Sequence, residues 1–296
     1  MGPTASGKTA LAVALAQAIQ GEVVSVDSAL IYRDMNIGTA KPDIDEMQGI
    51  PHHLIDICSP QDSYSVAQFR DDAIACIDDV LGRNKIPILA GGTMMYFNAL
   101  HQGISQIPSA DMQVREQVQT MISEHGLAHV HAKLQEVDPI SAAKIHQNDP
   151  QRLTRAMEVF ISTNKPLSVW QQEKKPALEY DFYNFALMPN DRAFLHQRIA
   201  TRFELMLEQG LVKELEMLLS KYDLNPDLPS MRSVGYRQVY SYLSGEYDYA
   251  NMVEKGLAAT RQLAKRQMTW LRGWEDTTFM DIQAHDLLRT IMKKVT

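Results

Sequence analysis

The chain has 296 residues, 45% hydrophobic and 22% charged, with a formal net charge of −7, the make-up of an ordinary globular protein of one large domain or two smaller ones. No apolar run approaches the ~18 residues of a membrane span, Met1-Gly2-Pro3 opens without a basic-then-apolar signal, and Cys58 and Cys76 form no CxxC pair, so a cytoplasmic protein without a disulfide framework or thiolate metal site is expected. The negative charge argues against wholesale wrapping of nucleic acid, because phosphate binding draws on Lys and Arg, and an RNA partner then requires basic residues concentrated locally.

In chain order, the first element is Gly2-Pro3-Thr4-Ala5-Ser6-Gly7-Lys8-Thr9, which fills every fixed position of GxxxxGK[ST]. Its glycines let backbone N–H groups turn inward around phosphate oxygens at the positive end of the next helix. Lys8 adds charge, and the Thr9 hydroxyl is placed to hold Mg²⁺. A diphosphate or triphosphate ligand follows. Such a loop normally leaves a central strand, yet only Met1 precedes Gly2, so that strand is expected to be missing here and encoded upstream.

Thr9–Ile19 then sets Leu11, Leu15 and Ile19 on one helical face, and Glu22–Asp27 reads as a strand ending in Asp27. The carboxyl edge of an open α/β sheet is where ligands bind; a turn or helix cap is the plainer reading of Asp27. His53–Ile57 is a second strand candidate, Val66–Leu81 a helix, and Ile86–Ala90 a third strand leading into Gly91-Gly92-Thr93. ATPases and GTPases usually carry an Mg²⁺-binding aspartate at such a strand end; here there is a tight turn and a hydroxyl.

From residue 108 strand signals fade, and 108–180 reads as a helical insert containing helices such as Met112–Glu124. Asp149-Pro150 opens another, aspartate as N-cap and proline at the first helical position, with Leu153, Ala156, Met157 and Phe160 inward and Arg152 and Arg155 outward. Phe182–Met188 alternates like a returning strand, and everything after Asp191 reads mainly as helix. Arg198 and Arg202 lie one turn apart there, opposite Leu195, Ile199, Phe203 and Met206. On Met252–Trp274, Lys255, Arg261, Lys265, Arg266 and Arg272 are positive with no acid between them. Arg261, Lys265 and Arg272 fall within about 40° of one another, with Leu263, Trp270 and Trp274 opposite. Arg232, Tyr236 and Arg237 add a mixture suited to clamping a backbone and stacking a base. The spacing of His125 and His129 could place two imidazoles on one helical face, but no third metal ligand follows at convincing spacing, and these two and His131 read as surface or capping residues. The organisation expected is an α/β fold with a P-loop-type, mainly parallel sheet flanked by helices: 1–107 the first part of the core, 108–180 the insert, 181–296 the returning strand and a helical carboxyl-terminal part.

Together GPTASGKT (2–9), DSALIYR (27–33), GTAKP (38–42), GGTMMY (91–96), DPQRLTRAMEV (149–159), SVGYRQ (233–238) and TRQLAKRQMTWLR (260–272) closely resemble bacterial tRNA dimethylallyltransferases, in family order and over nearly the whole chain. The resemblance implies transfer of a dimethylallyl group from dimethylallyl diphosphate to the exocyclic amine of the adenosine beside the anticodon, with release of diphosphate. Asp27 then orients the amine and accepts its proton, Thr93 binds a phosphate oxygen or positions the amine, and Lys8 meets the leaving group. Diphosphate would be held by Gly2, Thr4, Ala5, Ser6, Gly7, Lys8 and Thr9, with Mg²⁺ on Thr9, and by Arg202, for which a surface salt bridge is the alternative. Contacts to the tRNA anticodon stem-loop would come from Asp27, Ser28, Ala29, Leu30, Arg115, Gln151, Arg152, Leu153, Thr154, Arg155, Arg232, Gly235, Tyr236, Arg237, Arg261, Lys265, Arg266 and Arg272. The target base should be splayed from its stack. A monomer without membrane association is expected. A P-loop small-molecule kinase and an RNA-binding nucleotide switch are the competing readings; the basic helix counts against the first and the missing carboxylate against the second.

Overall fold

The computed structural model describes residues 1–105, 107–108, 111–173, 178 and 180–295. It divides into two compact units, Met1–Phe97 with Tyr180–Thr296, and Asn98–Glu179. The first unit joins residues from both expected core parts, with boundaries at 97/98 and 179/180 where 107/108 and 180/181 are expected; residues 109, 110 and 179 of the expected insert lie outside the described set.

The first stretch runs α1 (Lys8–Ile19), β1 (Gly21–Val26), α2 (Ile44–Met47), β2 (His52–His53), α3 (Val66–Gly82), β3 (Ile86–Gly91) and α4 (Met94–His101). The middle stretch is helical: α5 (Met112–Val137), α6 (Pro139–Lys144), α7 (Pro150–Thr163) and α8 (Leu167–Trp170). The last comprises β4 (Asn184–Met188), α9 (Arg192–Glu208), α10 (Leu211–Lys221), α11 (Tyr236–Leu243), α12 (Tyr249–Arg272), β5 (Thr277–Asp281) and α13 (Leu287–Val295).

Among the described residues every strand pairing is parallel, as the alternation of strands and helices implies, but the strands form two sheets, β2-β1-β3 and β4-β5. Among the described residues no strand precedes α1. Met1 pairs with β4 instead: its N–H donates to the Phe185 carbonyl at 2.8 Å, and its carbonyl accepts the Leu187 N–H at 2.9 Å. Of the expected strand His53–Ile57 only His53 is in a strand, the two-residue β2, because Leu54 and Asp56 take left-handed φ of 61° and 57°, which extended backbone does not allow. β5 was hidden in the tail read as helical. It is five residues long and its partner β4 lies about ninety positions upstream, a pairing that local periodicity does not carry.

Aspartates at the expected positions start the helices: Asp149 accepts the Arg152 N–H before α7, and Asp191 the Ala193 N–H before α9. Helix α5 runs past the expected Met112–Glu124, broken at Gly126, whose φ of 80° is left-handed. In the first unit one apolar cluster packs Leu15, Leu187, Leu195, Ile199, Met268 and Met280, tying α1, β4, α9, α12 and β5 together. Another gathers Ile31, Met35, Leu211, Leu215, Tyr236 and Met252. Beneath β1, the buried Glu22 carboxylate takes Arg83, Lys85 and His53; the hydrogen bonds, Arg83's foremost, hold it well below the usual carboxylate range. The second unit has its own core around Val118, Val130, Leu134, Leu153, Met157 and Val159. No helix among the described residues is long and apolar enough to cross a membrane.

Candidate active site

The phosphate loop takes the conformation its glycines permit. Gly7, with φ 86°, turns the chain into α1 as an N-cap that makes no side-chain cap, so the first helical N–H groups point outward at the positive end of the helix dipole. Two side chains grip the loop from behind. Arg198 Nε donates to the Ala5 carbonyl at 2.8 Å. Gln267 Oε1 accepts the Thr4 N–H at 2.8 Å while its Nε2 donates to the Gly92 carbonyl at 2.9 Å. The Thr4 N–H, expected to face diphosphate, is therefore committed to Gln267, which corrects its role to one of anchoring. The Ser6 hydroxyl is buried with no protein partner, and Gly2, Ala5 and Ser6 are all buried.

Lys8 folds over the loop, its Nζ 3.4 Å from the Pro3 carbonyl. Burial pushes its ammonium down to about 8, with Asp27 opposing the drop and Arg202 adding to it. Arg202 on α9 is likewise lowered by burial and raised by Asp27, and it hydrogen-bonds to no described residue. The surface salt bridge considered for it is absent among the described residues. Lys8 and Asp27 line one cleft, and the charge of Arg202 acts on Lys8 as that of Asp27 acts on both cations; all three residues are half-buried.

Asp27 and Thr93 are brought together by sheet register. Val26 of β1 pairs with Gly91 of β3, so both residues emerge at adjacent carboxyl ends. A Cβ on Gly91 would lie 2.0 Å from the Val26 carbonyl oxygen, so this pairing requires glycine. Thr93 Oγ1 accepts the Ser28 N–H at 3.0 Å, and Asp27 Oδ1 accepts the Ala29 N–H at 2.9 Å. Asp27 thus makes the turn considered for it, which leaves its second carboxylate oxygen outside that turn. A cleft lined by Lys8, Thr9, Ser25, Asp27, Leu30 and His52, among others, opens here. Among the described residues no three His, Cys, Asp or Glu converge as metal ligands. The exposed Thr9 hydroxyl beside Asp27 suits Mg²⁺, which binds through few protein groups, phosphate oxygens and water.

The residues expected to meet RNA divide by exposure. Arg261, Lys265, Arg266 and Arg272 are exposed on α12, and none forms an ion pair with a described residue. The buried side of α12 is Met252, Gly256, Ala264, Gln267, Met268 and Leu271, whereas Trp270, expected to pack, is 42% exposed. In the second unit Arg115, Gln151 and Arg152 are exposed and Thr154 and Arg155 half-buried. Arg155 donates to the Pro108 carbonyl at 3.2 Å, and Arg152 pairs with its own N-cap Asp149 at 3.4 Å. Leu153 is wholly buried in that unit's core, a correction: its side chain packs the helix. Ser28 is exposed, Ala29 and Leu30 half-buried, Arg232 and Arg237 exposed and Gly235 buried. Tyr236 is also corrected. It is wholly buried, and its phenol donates to Glu214 Oε1 at 2.5 Å; burial and then Glu214 push that phenol far above its ordinary range. His131 Nε2 caps the Ala142 and Ile145 carbonyls at 3.1 and 3.2 Å.

Two supports escaped the sequence reading. Gln267 occupies an apolar-face position of α12, where a polar residue in an i, i+3, i+4, i+7 stripe is the signal for a buried tie. Glu214, buried on α10, accepts the Asn36, Ile37 and Gly38 N–H groups at 3.0, 2.7 and 3.1 Å, fixing the start of the GTAKP segment.

A family model described as IPP transferase matches residues 30–274. Among solved structures, a full-length tRNA isopentenylpyrophosphate transferase from Bacillus halodurans is 36% identical over 99% of this chain and 92% of its own, with a TM-score of 0.71. A tRNA delta(2)-isopentenylpyrophosphate transferase from Staphylococcus epidermidis is 33% identical over 100% of this chain and 96% of its own, TM-score 0.71. A eukaryotic dimethylallyltransferase acting on tRNA is 28% identical over 99% of this chain and 75% of its own, TM-score 0.81. With the family match spanning the Gly91-Gly92-Thr93 turn and the basic helix, and two solved structures more than 30% identical over nearly the whole chain, this chain belongs to the IPP transferase family.

Proposed function

We propose that this chain transfers a dimethylallyl group from dimethylallyl diphosphate to the exocyclic amine of the adenosine adjacent to the tRNA anticodon, releasing diphosphate. The observation that carries this reading is that Asp27 and Thr93 emerge at adjacent strand ends, with Lys8 lining the same cleft as Asp27 and the charge of Arg202 felt by Lys8. Two cations there favour the charge that develops on a departing diphosphate. The carboxylate is placed to take a proton from a nucleophile, and the turn of β3 has no carboxylate of the kind an ordinary ATPase uses.

In the reaction the C–O bond to diphosphate breaks, the bond from adenine nitrogen to the allylic carbon forms, and the amine loses one proton. Lys8, Arg202 and the free N–H groups of α1 hold the leaving diphosphate. Asp27 receives the amine hydrogen bond and then its proton, while Thr93 fixes the turn that carries Asp27. Mg²⁺, held by Thr9 and phosphate oxygens, would neutralise further charge on the leaving group. The exposed, unpaired cations of α12 supply a track for RNA phosphates, the local concentration that the overall charge of −7 demands. On this reading the enzyme works in the cytoplasm. Incubation with labelled dimethylallyl diphosphate, and separately with γ-labelled ATP, each with unmodified tRNA, tests the reading: label enters RNA only from the former. Label transferred from ATP to an acceptor would identify a kinase instead.

A further inference from the structure

Two polar atoms in the catalytic cleft have no use in the chemistry above. His52 Nδ1 lies 2.8 Å from the Ile50 carbonyl, so Nδ1 carries hydrogen and donates, and in the neutral ring Nε2 is left as an acceptor. That Nε2 is buried and meets no protein donor. The Ser25 hydroxyl, on a residue only 3% exposed, is likewise buried without a protein partner. They belong together: Val23 pairs with His52 across β1 and β2, so Val23, Ser25 and His52 share one face of the sheet, and all three line the cleft that holds Asp27, Lys8 and Thr9. Buried polar atoms in native proteins are rarely left unpaired, because each costs the desolvation of a group that gains nothing in return. The space open to water centres in this cleft is about 30 Å³, against the ~10–15 Å³ that one water requires.

We propose that Ser25 and His52 form a water-binding floor beneath Asp27, and that the ordered water they hold donates to the carboxylate oxygen left outside the Ala29 turn. The water accepts from the Ser25 hydroxyl and donates to His52 Nε2 with one hydrogen and to Asp27 with the other. Both are positioning residues: they touch no substrate atom and act by keeping the carboxylate turned toward the amine. This rests on Asp27 as proton acceptor in prenyl transfer.

The test uses the full chain carrying Ser25→Ala, His52→Leu or His52→Gln, with melting temperature, kcat, and KM for dimethylallyl diphosphate measured on each. Ser25→Ala removes only the hydroxyl and is expected to melt close to the parent, whereas His52→Leu also loses the Nδ1 hydrogen bond to the Ile50 carbonyl and is expected to melt lower. In both, kcat is expected to fall about tenfold at unchanged KM. His52→Gln keeps an acceptor oxygen near the Nε2 position and should recover kcat to within about threefold of the parent. Loss of melting temperature with kcat intact would make these residues structural only and overturn the proposal. So would a Gln variant as slow as the Leu variant. If His52→Leu does not fold, Ser25→Ala, which deletes a single atom, decides alone. A parent that transfers no prenyl group would refute the reading of the reaction, whereas an active parent with fully active variants refutes this floor.

Discussion

Gln267, on the buried side of the basic helix, accepts the Thr4 N–H at 2.8 Å and so fastens the phosphate loop to the element whose exposed side carries Arg261, Lys265 and Arg272. The same carboxamide reaches Gly92 at 2.9 Å, and a Cβ on Gly92 would lie 2.4 Å from its nitrogen. One side chain therefore sets the spacing between cradle, catalytic turn and helix.

Gln267→Leu leaves the Thr4 N–H and the Gly92 carbonyl unpaired. At ~1–3 kcal/mol for each buried group left unsatisfied, and less for the Thr4 N–H, which is only partly buried, a loss of about 2–4 kcal/mol is expected in denaturant unfolding, with weaker diphosphate binding. Stability within about 0.5 kcal/mol of the parent would show that the loop holds itself.

Tyr236→Phe separates the internal role of this tyrosine from a base-stacking one. Glu214 keeps its three backbone donors, so a cost of about 1–2 kcal/mol is expected, with tRNA affinity unchanged by filter binding. Arg237→Ala, exposed beside it, should weaken tRNA binding without loss of stability. A Phe variant of normal stability and impaired tRNA binding would return Tyr236 to the RNA surface.

Lys8 gives a pH test with a definite sign. Its folded value of about 8 lies below the ordinary 10.5, so between these limits the unfolded chain binds more protons and the Lys8 contribution to stability rises with pH; the burial cost is in full force below pH 8. In Lys8→Met this rise should vanish from the pH-stability curve. Diphosphate affinity should weaken above pH 8 in the parent, and this step should flatten in Lys8→Arg, whose guanidinium keeps its charge. An identical pH profile in parent and Arg variant would remove Lys8 from the diphosphate site.

What the sequence carried, and what it did not, follows from the range of each interaction. The aspartate caps at 149 and 191, and the strands that lead into Asp27 and into the Gly91-Gly92-Thr93 turn, are written in neighbouring residues and are found within a residue of where they are expected. Burial of Tyr236 depends on Glu214, and the role of Gln267 on Thr4, hundreds of positions away in the latter case. Such pairings exist only once the helices have packed. β5 failed for the same reason, while β2 was curtailed by left-handed residues whose identities, Leu54 and Asp56, gave no glycine signal.

Neutralising Lys265 by Lys265→Gln should weaken tRNA binding and reduce the slope of log affinity against log salt by about one unit if it meets one phosphate. Lys265 is exposed, so its melting temperature should not move. An unchanged slope would make α12 merely a solvated helix.

The most direct test of the central claim is a single-turnover reaction of the parent and Asp27→Asn with dimethylallyl diphosphate and unmodified tRNA, followed by nucleoside analysis and diphosphate assay. In the parent, the account predicts one dimethylallyl group on the exocyclic nitrogen of the adenosine adjacent to the anticodon for each diphosphate released. Asp27→Asn should bind tRNA nearly as well but react about 10²–10⁴-fold more slowly, the usual worth of a positioned base. Near-normal turnover in Asp27→Asn, or diphosphate released without a prenylated adenosine, would contradict it.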